Sequence, residues 1–266
     1  MTENSGIGKD NLMPSVFIGH GNPMFVLEPN RWTEAWSEFF LSIPKPKAIL
    51  AVSAHWYITK SAVTIMDHPR TIHDFGGFPD ELYRIKYEAP GSKELGSRVI
   101  ELLEDTPVER DNKWGLDHGT WSVLTHTFKK ADVPVVQLSI DATKPPEFHW
   151  KLGEMLAPLR NEGVLILGSG NIVHNLGLAR FEIGFDRPFD WNEKFDLEVK
   201  SAVKDFDKSY LLNYLELPHG KLSAPTPDHY YPLLYNMGAR SLSDKVVSIC
   251  EGYDAGSLSM RSFALV

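Results

Sequence analysis

The sequence predicts an α/β fold: a single domain with a central, mostly parallel sheet and helices on both faces. Three observations carry this. Apolar runs at 15–19, 48–54 and 164–167 are continuous rather than alternating, as in strands buried on both faces of a parallel sheet. Segments with helical apolar spacing are interleaved with such runs. No linker, internal repeat or low-complexity tract divides the 266 residues, a length at which α/β chains often stay undivided.

Taken in order, residues 1–13 read as a flexible tail and 14–266 as the folded domain. After the first strand, Trp32, Ala35, Trp36, Phe39 and Phe40 mark one face of a helix over 31–41, ended by Pro44 and Pro46. A buried strand over 48–54 and a short one over 62–66 follow. Residues 69–90 form a long excursion with His73, Asp74, Phe75, Phe78, Tyr83 and Tyr87. Such loops are often functional, so it reads either as a wall or lid over a pocket or as a structural excursion packed by its own aromatics. Ser92 caps a helix reaching 103. A glycine-containing turn over 114–121 leads into a short helix over 122–128. Then come a strand over 133–140, a helix opened by Pro145 and Pro146 and running to 159, and the strand 164–167 with a Gly-Ser-Gly-Asn turn. Helices over 190–207, 210–217 and 230–237, a loop over 222–228, and closing strands over 245–249 and 258–264 complete the chain.

Composition narrows the function. A formal net charge of -8 without a long basic run argues against nucleic acid or an anionic membrane as partner. No stretch approaches the ~20 apolar residues of a membrane span, and residues 1–11 lack the apolar core of a signal peptide. The single cysteine, Cys250, rules out an intramolecular disulfide and fits a reducing compartment, so a cytoplasmic location is expected. At the end of the apolar run 246–249 it reads as a buried strand residue.

Four histidines stand out. His20, His55 and His174 each follow a strand-like run, and His229 follows a proline-rich loop. Ligands in open α/β sheets bind outside the carboxyl ends of the strands, so these residues can converge there. Neutral imidazole is the commonest protein ligand for borderline transition metals, which makes a metal site at the strand carboxyl ends the leading reading. A lone histidine beside a strand is more often a hydrogen-bonded structural residue. His68, His73, His126, His149 and His219 read that way or as surface residues, with His73 the best exception. Gly168-Ser169-Gly170 lacks the lysine of a phosphate-binding loop and the full dinucleotide fingerprint, and Ser169 is not in a nucleophile elbow.

Five stretches occur in a recognisable order: Gly19-His20-Gly21-Asn22-Pro23, Ser53-Ala54-His55-Trp56, the segment from Leu116 through His118 to Leu124, Gly168-Ser169-Gly170-Asn171-Ile172-Val173-His174-Asn175, and the segment from Pro227 through His229 to Leu234. Together they resemble the class III extradiol ring-cleavage dioxygenases, in the subgroup of DOPA 4,5-dioxygenases, over 17–263. The resemblance implies a non-haem iron enzyme that opens a catechol ring beside its hydroxyls with dioxygen; several close relatives hold zinc. It implies His20 and His55 as metal ligands and His174 as the acid/base histidine, and His229 falls where the remaining ligand is expected. The broader family has a carboxylate there. A histidine instead removes one negative charge and makes a closed four-histidine shell with His174 conceivable, which suits tetrahedral zinc. His174 thus stands as acid/base catalyst with ligation as a second role, and His118 as a binder of a catechol oxygen or a structural residue. Trp56, Phe75, Phe78 and Tyr230 are candidates to stack on the ring, or core residues.

The expected cofactor is Fe(II), with Zn(II) possible, and the expected partners are a small DOPA-like catechol and dioxygen. The oligomeric state, monomer included, stays open. Two alternatives stand beside ring cleavage: a zinc-dependent hydrolase using the same histidines, and a non-catalytic metal-binding relative. Ring cleavage needs this set because triplet dioxygen does not react readily with a closed-shell ring, and a redox-active metal links the two. A neighbouring histidine can exchange the catechol's protons at neutral pH.

Overall fold

Successive residues of the central strands point to opposite sides of one sheet, and both sides are apolar. In the computed structural model, which describes residues 12–266, the strands are β1 (Ser15–Gly19), β2 (Ala48–Ile58), β3 (Ser61–Thr64), β4 (Val108–Asp111), β5 (Val135–Asp141), β6 (Val164–Gly170), β7 (Val246–Cys250), β8 (Tyr253–Asp254), β9 (Leu258–Ser259) and β10 (Ser262–Leu265). The main sheet runs β4-β3-β5-β2-β6-β1-β10-β7, while β8 and β9 pair separately. Strands β5, β2, β6 and β1 are mutually parallel, so the carboxyl ends of β2, β6 and β1 lie side by side. The antiparallel pairings fall at β3–β5 and at β1–β10–β7.

The helices are α1 (Arg31–Ser42), α2 (Asp80–Tyr83), α3 (Lys93–Leu102), α4 (His118–Thr127), α5 (Pro146–Leu156), α6 (Pro158–Asn161), α7 (Asp190–Asp205), α8 (Lys208–Leu212), α9 (Gly220–Ser223) and α10 (Tyr231–Gly238). Ile49 and Ala51 of β2 and Leu165 and Leu167 of β6 pack beneath Trp32, Trp36 and Phe40 of α1 and Trp121 and Leu124 of α4. Leu50 and Val52 of β2 and Ile166 of β6 face the other way, toward Val99 of α3, Leu152 and Leu156 of α5, Val199 of α7 and Leu234 of α10. Helices therefore cover both faces of a mostly parallel sheet, as the continuous apolar runs require.

Several local expectations change. The glycine-containing turn before α4 is shorter than expected: the helix starts at His118, because the Asp117 side chain accepts the Thr120 N–H at 3.0 Å and caps it. The Gly168-Ser169-Gly170 segment continues β6 rather than turning. The helix opened by Pro146 ends at Leu156, and Pro158, which has no N–H, begins the separate turn α6. Residues 210–217 divide between α8 and a 3-10 turn at Tyr214–Glu216, and the loop after Leu217 contains α9. Strand β4 escaped notice because its sequence, Val-Glu-Arg-Asp, is polar and partly exposed at the sheet edge. Residues 1–11 of the expected tail lie outside the described residues. Met13, placed in that tail, is buried, and its N–H donates to the Arg160 carbonyl at 2.9 Å, so the packed chain begins before residue 14.

Arg160 closes the amino-terminal side of the fold. Its side chain is 1% exposed and pairs bidentately with Asp244, at 2.6 and 2.9 Å. It also donates to the carbonyls of Met13, Ala239 and Leu265. Breaking a buried, fully bonded ion pair on one side leaves the other charge uncompensated and typically costs about 3–5 kcal/mol. Arg160→Ala is expected to lower unfolding free energy by about that much in urea titrations, with the far-ultraviolet spectrum of the folded state unchanged. A loss under about 1 kcal/mol would mean the pair adds little to closure.

Candidate metal centre and its pocket

Each site histidine is delivered by a different backbone device. His20 is the first residue past β1, and its N–H donates to the Gly170 carbonyl at 3.0 Å. His55 lies inside β2, where the ladder to β5 steps from Val52↔Leu138 to Tyr57↔Ile140. Four residues of β2, Ser53 to Trp56, thus lie opposite the single residue Ser139 of β5, and this bulge carries His55 with its ring turned to the pocket. His229 precedes α10, and its carbonyl accepts the Asn171 N–H at 2.9 Å. A Cβ on Gly170 would sit 2.2 Å from that carbonyl oxygen, so glycine there serves close backbone approach, not a phosphate cradle. His118 is held at the first turn of α4 by Asp74 of the excursion, whose Oδ1 accepts the His118 N–H at 2.8 Å.

His20, His55 and His229 converge: each offers a ring nitrogen, and these atoms all lie within 4.8 Å of one another. Second ring contacts fix which nitrogen is offered. His20 Nδ1 lies 2.9 Å from Ser169 Oγ, and that hydroxyl donates its own proton to the Gly119 carbonyl at 2.5 Å. The hydroxyl therefore accepts from His20 Nδ1–H, which leaves His20 Nε2 bare. His229 Nδ1 donates to the Asp228 carboxylate, and its buried Nε2 has no partner among the described residues. Asp74 Oδ2 sits 3.3 Å from His55 Nδ1, within ion-pair range though outside hydrogen-bond geometry, and its negative charge favours a proton on that nitrogen. His55 Nε2 faces His20 Nε2 at 3.2 Å, so with the His55 proton on Nδ1 two lone pairs are directed at one another. That arrangement asks for a shared cation, and the separation is close to the roughly 3.3 Å between two nitrogens on one tetrahedral metal. The donor set fits a metal. A Cβ on Gly119 would lie 2.8 Å from the His55 ring and 3.4 Å from the His20 ring, so the first turn of α4 presses directly on the cluster.

Electrostatics keep the His20 and His55 rings neutral and ready to ligate. Burial, then the charges His229, His118 and His174 would carry, push His20 well below its ordinary 6.5. Burial, then the neighbouring histidines led by His118, does the same to His55. Burial raises the Asp228 carboxyl, but the hydrogen bond and charge of His229, with help from Thr226, outweigh it and hold it at about 2.

His174 borders the same pocket, though it is not in the convergent trio. Its N–H donates to the Ser223 carbonyl at 2.8 Å. Its ring stacks face to face on His229, centroids 3.4 Å apart and planes within 5°. Burial, then His229, depresses its pKa well below the ordinary value, against a smaller opposing pull from Asp228. His118 also lines the pocket. Its Nδ1 is 2.9 Å from Asp74 Oδ2, within ion-pair range yet outside hydrogen-bond geometry, so its buried nitrogen lacks a directed partner.

The pocket above the rings has a volume of about 230 Å³ and opens to solvent, a size that suits a single aromatic ring. Phe75 and Phe78 of the 69–90 excursion form one wall, which makes the excursion a pocket wall. Trp56 and Tyr230 do not border it: Trp56 stacks on Trp114 at 5.5 Å, and Tyr230 on Tyr214 at 4.1 Å, both in the core. His73 bonds the Ile85 carbonyl and packs among aromatics, while His126 and His149 bond Phe25 and Tyr235; none reaches the pocket. Sequence reasoning missed Asp74, Asp228 and Ser169, which orient the histidines, and Leu176, Phe181 and Leu258 of the pocket lining. Only Asp228 had a local signal, its adjacency to His229. Cys250 is half-buried at the sheet edge, bonded to the Met260 carbonyl, away from the site.

The model of the catalytic LigB subunit of aromatic ring-opening dioxygenase matches residues 23–253. A protein of Escherichia coli K12 named 4,5-DOPA dioxygenase extradiol is 46% identical over 94% of this chain and 93% of its own length. One of the same name from Beta vulgaris is 39% identical, over 96% and 97%. The crystal structure of an uncharacterised protein from Escherichia coli K12 superposes with a TM-score of 0.84 at 41% identity, covering 96% of this chain and all of that one.

Two outcomes follow from the geometry. Removing a group that orients a ligating histidine typically costs 10–100-fold in metal affinity. Ser169→Ala and Asp228→Asn are each expected to weaken metal binding by about that factor in competition titrations with a chelator, whereas a change under about twofold would deny them the orienting role. The depressed histidines also set a pH dependence. His20, His55 and His174 are neutral when folded and protonate near 6.5 when unfolded. The stability they confer is complete above pH 6.5 and is lost as pH falls toward their folded values. Urea midpoints of the metal-free protein should therefore drop between pH 7 and about 5; a flat profile would contradict the neutral cluster.

Proposed function

Because the chain belongs to the family of the catalytic LigB subunit of aromatic ring-opening dioxygenases, we propose that its histidine pocket is where a small one-ring catechol is opened, with His20, His55 and His229 holding Fe(II) and His174 moving the proton. Membership makes the chain an extradiol ring-opening dioxygenase and a metal-dependent oxidoreductase. The finer reading rests chiefly on one observation: a ring nitrogen from each of His20, His55 and His229 lies within 4.8 Å of the others, while Nδ1 of each ring lies beside a hydroxyl or carboxylate oxygen. DOPA, which the relatives' names carry, is a first candidate among such catechols.

Bound iron supplies the electronic link between the catechol and dioxygen. Zn(II) suits the same three nitrogens but has no redox chemistry, so a zinc-loaded protein would bind without opening the ring. The chain's own residues do the rest. Three neutral ligands leave the metal's charge uncompensated, which favours a deprotonated catechol. His174, neutral at pH 7, accepts a hydroxyl proton on its imidazole nitrogen and can return it later. His118 lines the same pocket, and its role in this reading is to hold a substrate oxygen. Phe75 and Phe78 flank the ring and exclude water. The reading of a hydrolase and that of a non-catalytic relative have no observation in their favour. Among the described residues no helix is long and apolar enough to cross a membrane. A reducing cytoplasm, which suits both Fe(II) and a lone thiol, is the proposed location.

Substitution separates ligand from acid/base residue. His20→Ala and His229→Ala are expected to lose both iron and ring cleavage. His174→Ala should keep iron and lose about 10²–10⁴-fold in turnover, the usual contribution of general acid–base catalysis. Iron content measured beside catechol-dependent oxygen uptake checks this. If His174→Ala takes up no iron under conditions that load the parent protein, His174 is a ligand and the proton assignment falls.

A further inference from the structure

One carboxylate touches three parts of the site. Asp74 stands in the 69–90 excursion, one residue before Phe75, which with Phe78 walls the pocket. Its Oδ1 accepts the His118 N–H at 2.8 Å, which ties the excursion to the first turn of α4. Its Oδ2 lies 2.9 Å from His118 Nδ1 and 3.3 Å from His55 Nδ1. The His55 and His118 rings lie with centroids 3.7 Å apart, and Phe75 packs edge-on against His118 at 5.3 Å. The excursion is already moored upstream, where the Ile72 N–H donates to the Leu116 carbonyl and the Trp121 indole N–H to the Ile72 carbonyl, each at 2.7 Å. Asp74 adds a tie immediately before the wall. A metal ligand, a pocket histidine and the wall are therefore linked through a single side chain.

We infer that Asp74 is a positioning residue whose two oxygens have separate tasks: Oδ2 sets which nitrogen of His55 and His118 carries the proton, and Oδ1 holds the aromatic wall in place for the substrate. The second task rests on the reading of the pocket as the ring-opening site. A negative oxygen beside both Nδ1 atoms favours a proton on each. That leaves Nε2 of His55 for the metal and Nε2 of His118 for a substrate oxygen. An asparagine at this position keeps an oxygen to accept the His118 N–H, but presents amide N–H groups where the second oxygen stood. Donor then faces donor at Nδ1, and the proton is driven to Nε2, the nitrogen that a metal needs bare. An alanine has neither oxygen, so the tie to α4 is lost as well. The two substitutions thus separate the two tasks.

The test compares Asp74→Asn, Asp74→Ala and Phe75→Ala in the full chain. Fe(II) affinity is read by competition with a chelator, and KM and kcat by oxygen uptake at saturating iron with L-DOPA and 4-methylcatechol. Both Asp74 variants should weaken iron binding by about 10–100-fold, the usual effect of removing a group that orients a ligating histidine. KM should stay near the parent value in Asp74→Asn and rise about tenfold in Asp74→Ala, the effect of losing a hydrogen bond to a charged acceptor. Phe75→Ala, which removes part of the wall and keeps the carboxylate, should raise KM about tenfold with iron affinity unchanged. Iron affinity within about twofold of the parent in both Asp74 variants overturns the task given to Oδ2. Equal KM in Asp74→Asn and Asp74→Ala overturns the division between the oxygens. If Asp74→Ala does not fold, a KM raised as far in Asp74→Asn as in Phe75→Ala overturns it instead. Absence of oxygen uptake by the iron-loaded parent with every catechol overturns the ring-opening reading and the task given to Oδ1. The chelator titrations need no turnover and decide the task of Oδ2 by themselves.

Discussion

Three imidazole lone pairs brought together in a buried space are the constraint on which the rest of this structure depends. Neutral rings with bare nitrogens 3.2 Å apart repel unless a cation is shared, so the fold must hold them in place before any ion arrives. It does so through the other ring nitrogens. Ser169 accepts from His20 while its hydroxyl proton is committed to Gly119, Asp228 accepts from His229, and Asp74 lies against His55. Each of these orienting groups comes from an element other than that of its histidine, except Asp228. The cluster is therefore assembled only when the sheet, α4 and the 69–90 excursion are all packed.

The sheet topology explains why this packing is reachable. β1, β2 and β6 are adjacent and parallel, so residues at their carboxyl ends emerge on one edge. Regular strand geometry alone would not turn three rings to one point. The step in the β2–β5 ladder leaves Ser53 to Trp56 without partners on β5, and His55 is carried on that segment. Gly170 permits the His229 carbonyl to come within reach of the sheet, and Gly119 lets the first turn of α4 lie against two of the rings. The glycines beside these histidines have steric roles tied to the site, and phosphate binding is not needed to account for them.

Function follows from how the pocket divides its chemistry. The floor is rich in nitrogen donors held neutral by burial, which suits a cation and the hydroxyls of a catechol. The mouth is aromatic and aliphatic, which suits an apolar ring and what is attached to it. Stacking of His174 on His229 at 3.4 Å keeps the proposed proton acceptor beside the convergent trio, outside its meeting point.

The sequence by itself determined the α/β class, the parallel core strands and the four principal histidines. Continuous apolar runs can be buried only in a sheet covered on both sides, and residues that follow such runs must appear at one edge. The order of five motifs identified the family, which the match over 23–253 bears out. Tertiary structure alone decided what contacts what. Asp74 and Ser169 carry no local signal, because their partners lie 19 and 149 residues away, at His55 and His20. Trp56 and Tyr230 sit beside His55 and His229 in sequence, yet both are buried away from the pocket, since neighbouring positions on a strand or at a helix start point in different directions. The start of α4 at His118 depended on a buried cap, Asp117, whose carboxylate is in turn held by Gln137 at 2.7 Å. Register, cap and bulge are settled by long-range packing, and they are what turn four scattered histidines into one site.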